Sequence, residues 1–96
     1  MLDRIKDFIN NYINNSEIKI IVESVVKYGE NKLEYALSIE NYMASISILP
    51  DYTYDFFVLE IDSEEMILNK TKYFSIIDAL FEQIEEDLGS FVKLRK

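Results

Sequence analysis

Leu2, Ile5, Phe8, Ile9, Tyr12 and Ile13 recur every three or four positions, which places them on one stripe of a helix over 2–14. Asp3 stands in the first turn of that helix, where a negative charge suits the helix dipole. Asn14-Asn15-Ser16 ends it, because these side chains compete for backbone hydrogen bonds. From Glu17 the period drops to two. Ile18, Ile20, Val22, Val26 and Tyr28 share one parity and Glu17, Lys19, Glu23 and Lys27 the other, so a strand with one buried and one wetted face is expected. Gly29-Glu30-Asn31 reads as a turn. Leu33, Tyr35, Leu37 and Ile39 then alternate with polar residues, and Glu40-Asn41 turns the chain into Tyr42, Ala44, Ile46 and Ile48. Pro50-Asp51 breaks this third strand.

A fourth strand over 53–61 carries Phe57, Leu59 and Ile61 on one face, with Phe56 and Val58 on the other. Asp62-Ser63-Glu64-Glu65 is a turn, and a short fifth strand covers 66–73. Helical spacing returns with Ile77, Leu80, Phe81, Ile84 and Leu88. Ser75 and Asp78 fit the S-x-x-D capping pattern, and Gly89 fits a left-handed C-terminal cap. The short connections favour antiparallel neighbours. Two one-sided helices need a common apolar sheet face. The expected fold is therefore a single α+β domain over 1–96, two-layered, with an antiparallel meander of four or five strands and both helices packed on one face.

The chain of 96 residues holds 10 Lys+Arg against 18 Asp+Glu, for a net charge of −8, and it contains no His, Cys or Trp. Without Cys there is no disulfide framework or thiolate site, and without His the usual general base and commonest metal ligand are missing. The acid excess disfavours nucleic acid and anionic membranes. No apolar run approaches the ~18 residues of a membrane span. The first residues carry acids rather than the pattern of a signal peptide, so a cytoplasmic protein is expected.

The charge is unevenly spread. No Lys or Arg occurs from Leu33 to Asn69, a stretch holding Glu34, Glu40, Asp51, Asp55, Glu60, Asp62, Glu64 and Glu65. Such a run either keeps a solvated face soluble or steers a basic protein partner. Paired carboxylates such as Glu34, Glu60 and Asp62 are the only acid–base candidates, and solvated strand-face acids are the simpler account, so no enzyme activity, cofactor or metal is expected. The loop 62–65 lacks the glycine and spaced oxygen ligands of a calcium loop. Tyr42, Tyr52, Tyr54, Phe56 and Phe57 crowd around Pro50-Asp51. These rings either complete the core or anchor a partner. Tyr42 and Phe57 fall on the core parity, whereas Tyr52, Tyr54 and Phe56 fall off it or in the turn and are expected as contacts.

Residues 33–88 resemble the TriTu family of bacterial immunity proteins from polymorphic-toxin systems. The resemblance lies in Leu37-Ser38-Ile39-Glu40, in Tyr42, and in the strand Ser45-Ile46-Ser47-Ile48. It continues from Asp55 through Val58-Leu59-Glu60-Ile61-Asp62-Ser63-Glu64-Glu65 to Ile67-Leu68, and closes on Tyr73-Phe74-Ser75. The family has a tryptophan and a glycine in the middle turn, where this chain has Leu49-Pro50-Asp51-Tyr52. The resemblance implies a protein that binds and neutralises a cognate toxin, commonly a nuclease or another enzyme with a basic active site, by stoichiometric occlusion.

The expected contacts on such a basic toxin are Asp51, Asp55, Glu60, Asp62, Glu64 and Glu65 for charge, with Tyr52, Tyr54 and Phe56 as anchors. The protein itself is expected to be a monomer or a weak homodimer. The alternative is a secretion chaperone or adaptor that holds a segment of a partner protein, and a further one is a phosphate-mimicking inhibitor of a DNA-binding protein.

Overall fold

A computed structural model describes residues 2–94. Its elements run α1 (Leu2–Asn15), β1 (Ile21–Tyr28), β2 (Lys32–Ile39), β3 (Tyr42–Ile48), β4 (Thr53–Glu60), β5 (Glu65–Tyr73) and α2 (Ile77–Val92). The strands form one antiparallel meander in the order β1-β2-β3-β4-β5. Both helices lie on the same sheet face, giving the expected two-layer α+β architecture. Met1, Arg95 and Lys96 lie outside the described residues.

Register explains the core. Directly opposed residues share a face, so each cross-strand row is one layer of side chains. Under the helices the rows are Lys27-Leu33-Ile48-Tyr54-Lys72, Val25-Tyr35-Ile46-Phe56-Lys70 and Val22-Leu37-Ala44-Val58-Leu68. The three central strands supply buried apolar groups in every row. Onto them α1 presses Leu2, Ile5 and Ile9, and α2 presses Leu80, Ile84, Leu88 and Phe91. Burying each such side chain contributes about 1.5–3 kcal/mol. A helix as short as α1 is marginal alone, so this packing is what holds it. Phe8 and Phe81 stack at 4.2 Å between ring centroids and join the two helices.

The outer positions of the helix-side rows are different. Lys27 on β1 reaches Asp3 of α1 at 3.3 Å. On β5, Lys70 reaches Asp87 of α2 at 2.8 Å, and Lys72 donates to Gln83 Oε1 at 3.0 Å. The stems of these lysines cover the edges of the apolar layer while their ammonium groups bind the helix flanks. Two buried tyrosines make matching ties from the inner strands. Tyr35 donates to Asn10 Oδ1 of α1 at 2.6 Å, and Tyr54 donates to Asp87 Oδ2 of α2 at 2.7 Å.

Three local expectations are corrected. Strict alternation in β1 predicts Val26 and Tyr28 in the core and Lys27 in water. The ladder slips between Val22 and Ser24, where Glu23 is an extra residue, and the parity reverses beyond it. Lys27 therefore turns toward α1, and Val26 and Tyr28 turn away from it. In β4 the buried parity is Tyr54, Phe56 and Val58, not Phe57 and Leu59, because these three oppose Ile48, Ile46 and Ala44. At α2, neither end follows the sequence signals. Ile76 is the N-cap and makes no side-chain cap bond, so Ser75 and Asp78 form no capping box. Gly89 lies inside the helix, which continues to Val92, with Lys93 as C-cap.

Candidate partner-binding face

The second face of the sheet has no covering element among the described residues. Its rows are Tyr28-Lys32 with Thr53-Tyr73, then Val26-Glu34-Ser47-Asp55-Thr71, then Ser24-Ala36-Ser45-Phe57-Asn69, then Ile21-Ser38-Met43-Leu59-Met66. The middle of this face is built from small residues, Ala36, Ser38, Ser45 and Ser47, with Phe57, Leu59 and Met43 standing half-buried beside them. The flanks carry exposed Ile21, Val26 and Tyr28 on one side and exposed Met66 and Tyr73 on the other. A monomer rarely leaves so many apolar groups on one contiguous surface without a use for them.

Acids are set into this surface. Glu34 and Asp55 lie in one row, each one strand from Ser47, which puts their backbones about 10 Å apart. Thr71 donates its hydroxyl to Asp55 Oδ1 across β4 and β5. Lys32 lies 3.6 Å from Glu34, and Glu23 accepts a hydrogen bond from Ser38 at 3.2 Å.

The expected contact residues do not form one cluster. A meander sends alternate turns to opposite ends of the sheet. Asp51 and Tyr52 lie in the β3–β4 turn. Glu60, Asp62, Glu64 and Glu65 lie about 25 Å away, at the end of β4 that also holds Glu40. Asn41 joins the two turns of that acidic end, accepting from Ile61 N at 2.8 Å and, through its side chain, from Asp62 N at 3.1 Å. Glu60 and Glu65 are directly opposed in the ladder, a like-charge pair that weakens the sheet locally. Ser63 donates to Glu60 at 2.6 Å.

At the other end, Asp51 accepts from Thr53 N at 3.0 Å. Hydrogen bonds from Thr53 hold its carboxyl below the usual range. Glu40, Tyr52 and Glu64 take left-handed backbone with φ of 50°, 67° and 58°. Glycine is the low-cost residue for such positions, and here acids and a tyrosine occupy them.

Tyr54 and Phe56 are corrected. Both are buried under α2 and reach no surface, so neither anchors a partner. Phe57, assigned to the core by its parity, is the β4 ring on the open face. Tyr52 is half-buried against the core. Asp55 stays on the open face. Glu34, Glu60 and Asp62 do not assemble a carboxylate pair. Glu34 stands on the open face beside Ser47, whereas Glu60 opposes Tyr42 on the helix side of the register. Among the described residues no cluster of three or more acids could hold a metal ion, and no helix is long and apolar enough to cross a membrane.

One polar constellation escaped the sequence. Asp87 is buried in α2 and accepts from Tyr54, Lys70 and Gln83, the last at 3.1 Å. Burial, then the bond to Asp87, then its charge push the Tyr54 hydroxyl well above its ordinary value. Asp87 sits three residues after Ile84 and four before Phe91, on the apolar stripe itself. That position marks it as an inward-facing acid despite the acidic run around it. With both carboxylate oxygens matched, this network fastens α2 to β4 and β5.

No family model, curated protein or solved structure matches this chain.

Proposed function

We propose that this chain is a binding protein without enzymatic activity that neutralises a basic protein partner by occluding it, as an immunity protein does its toxin. The observation that carries this is the uncovered sheet face, apolar at its flanks and set with Glu34 and Asp55. The contact area is this face rather than Tyr52 in the β3–β4 turn or the buried Tyr54 and Phe56 of β4. Phe57 and Leu59 supply apolar contact at its centre, and the acidic end of Glu40, Glu60, Asp62, Glu64 and Glu65 steers the partner toward it. The like-charge pair Glu60–Glu65 and the left-handed Glu40 and Glu64 support the same reading. Each costs stability and each keeps negative charge at one end of the sheet.

The test is expression of the open reading frame directly upstream, in a host with and without this chain. The upstream product alone is expected to stop growth, with growth restored by the wild-type chain. Restoration should survive Glu82→Lys on the exposed side of α2 and fail with Asp55→Lys on the open face. A harmless neighbour, or one that kills in the presence of this chain, overturns the proposal.

A further inference from the structure

β1 is an edge strand with an unusual surface. Ile21, Val22, Val25, Val26 and Tyr28 are each between 39% and 51% exposed, on both faces of the sheet. Its inner edge pairs with β2 and its outer edge pairs with nothing in the described chain. Backbone N–H and C=O groups along that outer edge are therefore open to another strand.

The usual protections of such an edge are weak here. No proline interrupts β1. Its bulge at Glu23 lies near the start and leaves Ser24–Tyr28 regular. Its lysine, Lys27, is drawn back onto Asp3 and Glu30 rather than projecting along the edge. β5 is the poorer candidate for pairing. Its exposed apolar residues, Met66, Ile67 and Leu68, surround its own bulge, and the stretch from Asn69 to Lys72 is polar.

Charge selects the occupant. Residues 17–32 hold Glu17, Glu23 and Glu30 against Lys19, Lys27 and Lys32, three acids and three bases, so this segment is neutral in a chain of charge −8. A basic partner is drawn to the acidic end and the open face. A second copy of this chain, itself acidic, is repelled there and meets least repulsion along β1.

We infer that two copies of the chain pair antiparallel through β1, about a two-fold axis close to Val25 and Val26, joining their sheets edge to edge. The interface is isologous: with the axis at Val26, that valine opposes its own copy and Tyr28 opposes Ser24 of the second copy, on the open face. An axis perpendicular to the sheet keeps all four helices on one face and makes the two open faces continuous. The inference does not depend on the identity of any partner.

The experiment is the mass of the purified full chain by sedimentation equilibrium up to roughly 100 μM. A mass of twice the 11.3 kDa of one chain is expected. The dimer should tighten with added salt, because screening relieves the repulsion between two acidic chains. Val26→Lys, at an exposed position, should weaken the dimer by roughly tenfold or more, whereas Leu68→Lys on β5 should leave it unchanged. A wild-type monomer at every concentration and salt overturns the inference. So does a dimer that survives Val26→Lys and is lost with Leu68→Lys.

Discussion

Lys70 of the edge strand β5 places its ammonium 2.8 Å from the carboxylate of Asp87, which is buried in α2. A buried charge is tolerable only when paired and fully hydrogen-bonded, and Tyr54 and Gln83 complete the set. The pair thus fixes where α2 sits on the sheet. Removing the acid strands Tyr54 and Gln83 without their acceptor. Asp87→Ala is expected to lower unfolding free energy by about 3 kcal/mol, read from urea denaturation. Lys70→Ala, which leaves the buried carboxylate uncompensated, should cost at least as much.

Alkaline pH should release both helices together. Burial, with the charge of Asp7 adding, pushes the Tyr35 hydroxyl up to about 12, and Tyr54 is shifted upward further. An unfolded tyrosine titrates near about 10. The folded chain therefore holds these protons more tightly than the unfolded one. Their contribution is complete below that pH; that of Tyr35 is lost as pH rises from there through about 12, and that of Tyr54 goes on being lost above it. The urea midpoint should fall over this window, with tyrosinate absorbance growing as the fold is lost. The double variant Tyr35→Phe/Tyr54→Phe should flatten the dependence, and a flat wild-type profile would contradict the assignment.

Gly89 stands inside α2, and a Cβ built there meets only the Tyr12 hydroxyl at 3.7 Å, an ordinary contact. Alanine avoids the backbone entropy of a helical glycine. Gly89→Ala should stabilise the chain by about 0.5–1 kcal/mol, raising the thermal midpoint. A loss of stability would mean that Tyr12 cannot accommodate the methyl group.

The acidic end is expected to be suboptimal for stability. Glu65→Lys converts the opposed pair with Glu60 into an attractive one and should add about 0.5 kcal/mol. The gain should shrink in high salt, and partner association should slow. Equal association rates for the variant and the wild type would remove the acidic end from the steering role.

Much of this fold is legible in the alternation of β2 and β3, where apolar residues recur at every second position and, Ala36 and Met43 apart, polar ones fill the positions between. It fails where a second determinant acts. Glu23 is an ordinary strand residue, and nothing in its type announces the bulge that reverses Val26, Lys27 and Tyr28. β4 is apolar on both faces, so alternation alone does not choose between Phe56 and Phe57. The choice follows from register with Ile46 and Ser45. The acids were visible as a group, but the meander divides them between opposite ends of the sheet. Asp87 was hidden by its acidic neighbours, although its spacing from Ile84 and Phe91 points inward.

Whether the open sheet face meets the partner is tested most directly by titrating the purified product of the upstream reading frame against the wild-type chain, Phe57→Ser and Glu82→Lys. Tight binding by the wild type is expected, with about 30-fold or greater weakening by Phe57→Ser, as for a central anchor. Glu82→Lys, on the helix layer, should remain close to wild type. Absence of binding by the wild-type chain, or unchanged binding by Phe57→Ser, would contradict the proposed surface.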